Sequence, residues 1–209
     1  MRIAELSRRT GVPIPTIKYY LREGLVPAGE RTGPNQAQYG EAHVKRLKLA
    51  RALVEVGGLS IASAREALRL MFSAGLSELD TIGKAQYAMT PAREYMEDEA
   101  WDEAVAEVDE LIAKRGWRVK PANPARRTLA DALATLRRLD QDDYFELLDS
   151  YAETAERLAA DEIETVARRG DLDSVAEAVV VWTAVGDTVL ASLRRLAQED
   201  KSTRLLEGS

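Results

Sequence analysis

Thr16, Lys18, Tyr19 and Arg22 fall outside the apolar stripe that Ile14, Ile17 and Leu21 draw along one short segment. Read as a helix, that segment turns a hydroxyl, an ammonium, a ring and a guanidinium to solvent. These groups donate and stack, and they do not make or break bonds. The partner they suit is a polyanion with flat bases: donors for phosphates and base edges, an aromatic face beside them. Tyr20 sits at the edge of the stripe and reads equally as a contact or as core. Catalytic sets are missing around them. With no cysteine in the chain there are no thiolate ligands, disulfides or Cys nucleophiles. The single histidine, His43, argues against a His-based zinc site or a Ser-His-Asp hydrolase, and reads as an exposed residue at a helix start. With no glycine-rich phosphate loop either, a non-enzyme without cofactor or metal is expected.

Charge supports that partner. The first 70 residues hold 12 Lys+Arg against 6 Asp+Glu, a net of +6, while the rest holds 17 against 29, a net of −12. A basic module on an acidic chain is the footprint of polyanion binding. The chain of 209 residues has room for one or two cores. No apolar run reaches the ~18 residues of a membrane span, and no signal-peptide pattern opens the sequence. A cytoplasmic protein with no membrane partner is expected.

The exposed face needs elements to position it. Residues 3–10 read as a helix carrying Ile3 and Leu6, stopped at Gly11. Pro15 suits the first turn of the next helix. Two short helices about a tight turn make a helix-turn-helix. From Gly24 to Gly40 the text is punctuated by glycine and proline. Leu25-Val26 and Ala37-Gln38-Tyr39 are the candidate strands of a hairpin with Arg31 and Thr32 near its tip, a wing for the phosphate backbone. Helical pattern resumes at Glu41 with Val44, Leu47, Ala50 and Val54, ends at Gly57-Gly58, and begins again at Ser60, the expected N-cap.

The series Thr10-Gly11-Val12, Thr16-Ile17-Lys18-Tyr19-Tyr20, Gly24-Leu25-Val26-Pro27, Tyr39 and Val44-Lys45-Arg46-Leu47 resembles the DNA-binding domain of the MerR family of bacterial transcription regulators over about residues 2–70. The resemblance implies a winged helix-turn-helix on a homodimer bound to an inverted-repeat operator in double-stranded DNA. Several members of that family distort promoter DNA, with RNA polymerase as a partner. By position it places Thr16, Lys18, Tyr19 and Tyr20 on the recognition helix, Arg22 and Lys45 at backbone contacts, and Tyr39 on the returning strand of the wing. Pro15, Leu21 and Asn35-Gln36-Ala37 depart from the family pattern. The competing reading is a helical interaction module whose helix-turn-helix meets protein; salt-insensitive behaviour would favour it.

The acidic remainder reads as helices throughout. A short helix is expected over 79–88. Thr90-Pro91 looks like the start of a helix running to Arg115, with Trp101, Val105, Val108, Leu111 and Ile112 on its apolar face. The resemblance implies that the helix directly after the DNA-binding domain pairs antiparallel with its partner to make the dimer, and by position this helix is the candidate arm. Further helices are expected over 125–139 and 142–169. In the last, Val175, Val179, Trp182, Gly186, Val189, Leu193 and Leu196 repeat at alternating spacings of four and three, the seam of a bundle or coiled coil. Two arrangements fit: the centre of a bundle, or a bundle plus a homodimer interface. A close helix crossing at Gly186 is expected. The aromatics Trp101, Trp117, Tyr144, Tyr151 and Trp182 either fill a core or hold an apolar small-molecule effector. The acidic clusters 97–99 and 140–143 read as solvated helix ends or as cation ligands, and Asp187 as a boundary position. The expected class is mainly α: a winged helix-turn-helix with a small β-hairpin over 1–72, a linker or short helix over 73–90, and an all-helical dimerisation and effector domain over 91–209.

Overall fold

The computed structural model describes residues 1–33, 36–72, 84, 87–90, 93–169 and 172–207. They form two units, Met1–Met89 with Asp171–Ser209, and Thr90–Gly170.

The first unit opens with α1 (Ile3–Thr10) and α2 (Ile14–Arg22). Gly11 joins them at φ 69°, a left-handed conformation in which its N–H returns to the Ser7 carbonyl. Buried Thr10 satisfies its own hydroxyl, donating to the Leu6 carbonyl at 2.8 Å and accepting the Val12 N–H at 3.3 Å. β1 (Glu30–Gly33) and β2 (Gln36–Gln38) pair antiparallel, with Arg31 opposite Ala37. The expected hairpin is present, but its first strand lies further on. Leu25 and Val26 are fully buried core residues, not strand. α3 (Glu41–Arg51) runs into a wider π turn over Ala52–Val56, and α4 (Ile61–Met71) follows with Ser60 Oγ accepting the Ser63 N–H at 3.1 Å. Leu6, Ile17, Leu25, Leu47, Leu53 and Leu68 are the fully buried centre.

The second unit is built on a helical hairpin of α5 (Glu99–Arg115) and α6 (Pro124–Arg138). α5 begins eight residues later than the Thr90-Pro91 signal. Its N-cap is Asp98, which accepts the Trp101 N–H at 3.0 Å. The same carboxylate takes two bonds from Arg138 at the far end of α6, at 2.7 and 3.0 Å, and this pairing holds the Asp98 carboxyl below its ordinary range. A 3₁₀ turn over Asp142–Leu147 leads to α7 (Leu148–Ala167). Lys114 and Arg115 pair with Asp149, and the Trp117 indole donates to Glu156 at 2.7 Å, so α7 is tied to the end of α5. The short helix expected over 79–88 lies largely outside the described residues.

α8 (Leu172–Glu207) runs nine residues past its expected end near 198. It also belongs to the first unit, not with the other acidic helices as the expected 91–209 grouping had it. Val180 and Ala184 enter the first unit's core. A close approach falls at Gly57: a Cβ there would lie 2.9 Å from the Ala184 Cβ. The Thr188 hydroxyl donates to the Val56 carbonyl at 2.9 Å, a bond to the π turn. Among the described residues no helix is long and apolar enough to cross a membrane.

Candidate nucleic-acid interface

α2 buries Ile17 and Tyr20 and leaves Lys18 and Tyr19 exposed, with Thr16 half-buried. The Arg22 guanidinium stands 5.1 Å from the Tyr19 ring centre and also meets Glu23 at 3.3 Å. A polar-aromatic ridge therefore lies along the outside of the second helix. Beside it is a cleft of about 380 Å³ lined by Arg2, Ile3, Lys18, Leu21, Arg31, Gly33, Gln36, Ala37 and Tyr39. The tip of α1, the flank of α2 and both strands of the hairpin thus converge there.

Three cations, Arg2, Lys18 and Arg31, border this cleft, and no carboxylate among the described residues lies within ion-pair distance of any of them. Several other basic residues of the unit are ion-paired. Arg8 pairs with Glu5, Arg9 with Glu41, Arg51 with Glu55 at 2.7 Å and Arg69 with Glu66 at 2.6 Å. Their partners respond: Glu41 is held below its ordinary range by the Arg9 hydrogen bond, and Glu66 by Arg69. Cations left unneutralised around one groove repel each other. That arrangement is sustained at little cost only where solvent or an external anion screens it.

Three of the expected site residues lie off the exposed ridge of α2. Tyr20 is 3% exposed; its ring is core, and burial pushes its phenol up. Tyr39 is 8% exposed, and its backbone binds the chain start: its carbonyl accepts from the Met1 ammonium at 2.7 Å. Both tyrosines support the interface from beneath. Lys45 is spent on Glu177 of α8, in a different groove that also holds Glu41 and Lys48. Its partner comes from 132 positions further along the chain, so no local pattern announces it.

Other residues shape the site without having stood out in the sequence. Arg2 is one, because no motif includes it. His43 is another. Its Nδ1 accepts the Gly40 N–H at 3.1 Å and its Nε2 lies 3.4 Å from the Ala28 carbonyl, the geometry of an Nδ1-acceptor, Nε2–H-donor ring. The lone histidine thus clips together the two ends of the wing. Its ring also meets the Tyr39 ring edge-on at 5.3 Å. A glycine N-cap three residues before a histidine is the only local signal for it.

The face expected to form the dimer arm is also accounted for within the chain. Trp101, Val108 and Leu111 are 6%, 2% and 6% exposed; Trp101 and Val108 pack with Ala130, Leu133 and Ala134 of α6, while Val105 and Ile112 lie against the edge of that cluster. An open cleft of about 330 Å³ lies over Trp101, Val105, Val108 and Pro121, rimmed by Asp109, Arg126 and Arg127.

The model of the MerR HTH family regulatory protein matches residues 1–70. The ZntR-homolog HTH-type transcriptional regulator of Haemophilus influenzae is 43% identical over 47 residues, covering 22% of this chain and 35% of that protein, so the match spans well under two thirds of that relative. The mercuric resistance operon regulatory protein of Pseudomonas fluorescens is 30% identical over 120 residues, covering 56% of this chain and 80% of that protein. The crystal structure of SCO5550 from Streptomyces coelicolor A3(2), a chain assigned as a transcriptional regulator, matches with a TM-score of 0.70 and 36% identity, covering 98% of this chain and 97% of that one. The mainly α winged helix-turn-helix, the ridge on α2 and these relatives agree: the chain belongs to the MerR family of DNA-binding transcription regulators.

Proposed function

We propose that the protein binds an inverted-repeat operator as a homodimer, with α2 of each copy in a major groove and the hairpin beside it along the phosphate backbone. Lys18, Tyr19 and Thr16 face the base edges. Arg2 and Arg31 take the phosphates that pass through the cleft, and Arg22 reaches the backbone from the end of α2. Distortion of promoter DNA, with RNA polymerase as the partner that reads it, is part of the same reading. The cleft over Trp101 is the place for a small-molecule effector. The observation that carries the reading is the convergence of three cations without an ion pair, Arg2, Lys18 and Arg31, on the one groove between α2 and the hairpin.

The test is selection of fragmented genomic DNA on the purified full-length chain, followed by sequencing and footprinting. The expected result is an enriched inverted repeat whose half-sites lie about 34 Å apart or a multiple of it, protected on one face of the duplex. Fragments recovered without a shared sequence would overturn it. Equal mobility of all circularly permuted operator fragments when bound would remove the distortion alone.

A further inference from the structure

The hairpin pairs Glu30 with Gln38 and Arg31 with Ala37. Carried two residues towards the root of the wing, the same register sets Ala28 opposite Gly40. A side chain stands between those two residues. The Gly40 N–H donates to His43 Nδ1 at 3.1 Å, and His43 Nε2 lies 3.4 Å from the Ala28 carbonyl oxygen. The imidazole takes one partner from each leg and so forms a side-chain rung below the last ladder pair.

That rung is fixed to the core. His43 belongs to the first turn of α3, where Val44 and Leu47 are fully or nearly buried. Gly40, the N-cap of α3, has no side chain, so His43 supplies the returning half of a capping box. The buried Tyr39 ring meets the imidazole edge-on at 5.3 Å. Gly29 leaves no slack on the other leg: a Cβ there would lie 2.6 Å from the Gln38 carbonyl oxygen and 2.9 Å from the Tyr39 ring. A two-stranded ribbon is marginal by itself, and its direction is set where it is rooted. Arg31 stands three residues beyond Ala28 on the same leg, at the cleft. The chemistry of the rung is specific. Nδ1 must accept and Nε2 must donate, which is one neutral form of the ring. A glutamine tip also carries one acceptor and one donor group, whereas an alanine carries neither.

We infer that His43 is a positioning residue for DNA binding: its imidazole rung fixes the direction of the wing and so holds Arg31 where a phosphate passes. This rests on the reading of Arg31 as a phosphate contact and names the group that aims it.

The test is the salt dependence of operator affinity for the full chain as wild type, R31A, H43A, H43A/R31A and H43Q. R31A should make the slope of log K against log salt shallower by about 0.9, the share of one phosphate. H43A should lose a similar share, and the double variant no more than R31A alone, because His43 acts through Arg31. H43Q should restore most of the wild-type slope. The chain has one histidine, so its ring nitrogen resonances at about pH 8 are read without overlap; the Nε2–H form is expected, free and on the operator. An R31A slope equal to wild type overturns the phosphate contact and the positioning role together. A shallower R31A slope overturns His43 alone if H43A keeps the wild-type slope, if the two losses add in the double variant, or if H43Q is no better than H43A. A ring protonated at Nδ1 in the wild type does the same, whether or not the variants fold.

Discussion

The Arg46 guanidinium donates from Nε to the Leu25 carbonyl oxygen at 2.7 Å. From its other side it donates to the Leu68 carbonyl at 2.8 Å and lies 4.4 Å over the Phe72 ring. One side chain of α3 thus locks the turn that leaves α2 and the last turn of α4. Half-burial pushes the guanidinium down from its usual value, yet it keeps its charge at any ordinary pH.

Arg46→Ala should cost about 2–3 kcal/mol, since it strips charge-assisted bonds from two backbone carbonyls. Arg46→Lys should recover less than half, because an ammonium cannot span both acceptors. Urea denaturation monitored by circular dichroism measures both; an Arg46→Ala midpoint equal to wild type would mean the two carbonyls are satisfied otherwise.

Tyr19→Ala should lower affinity for the selected operator at least tenfold more than affinity for random duplex. Stability should stay within about 0.5 kcal/mol, as expected for an exposed side chain. Fluorescence anisotropy on both DNAs, with a melting curve, makes the comparison. Equal losses on both DNAs would assign Tyr19 to the backbone.

The helix-turn-helix was legible because its signals are local: alternating apolar spacings of three and four, a glycine at φ 69°, a proline in a first turn. Tyr20 was ambiguous for a physical reason, since an amphipathic ring at the margin of a stripe suits either side. Lys45 and Arg46 are adjacent cations with opposite fates, one exposed and paired to Glu177, one half-buried on two carbonyls. Both fates depend on residues brought in from elsewhere in the chain. The start of α5 was misplaced because Thr90-Pro91 is a sound start signal, while Asp98 gains a second ligand, Arg138, from 40 residues away. In α8 the seam was plain from the sequence; which half is covered depends on packing alone.

Alkaline pH should weaken the first unit through Tyr20. Burial disfavours the phenolate, so the folded value lies above the unfolded value of 10.0. The stabilising contribution is whole below the unfolded value and is lost as pH rises through the folded one. Denaturation midpoints should therefore fall more steeply above about pH 10 for wild type than for Tyr20→Phe. Parallel curves would show that the phenol ionises freely in the folded state.

Trp101→Ala should cost the second unit about 3–5 kcal/mol, the usual range for emptying a large aromatic site from a core. The dimer mass should remain, since the α5 face packs on α6 of its own chain. Calorimetry and sedimentation of the same sample read the two effects. A monomeric but fully stable variant would restore α5 as the dimer arm.

The groove between α2 and the wing is tested most directly by the salt dependence of operator affinity in wild type and in the double variant R2A/R31A. Each phosphate contact contributes about 0.9 to the slope of log K against log salt. Phosphates held by the unpaired cations should make the wild-type slope steep and leave the double variant shallower by more than one unit at unchanged thermal stability. Identical slopes for the two proteins would contradict it.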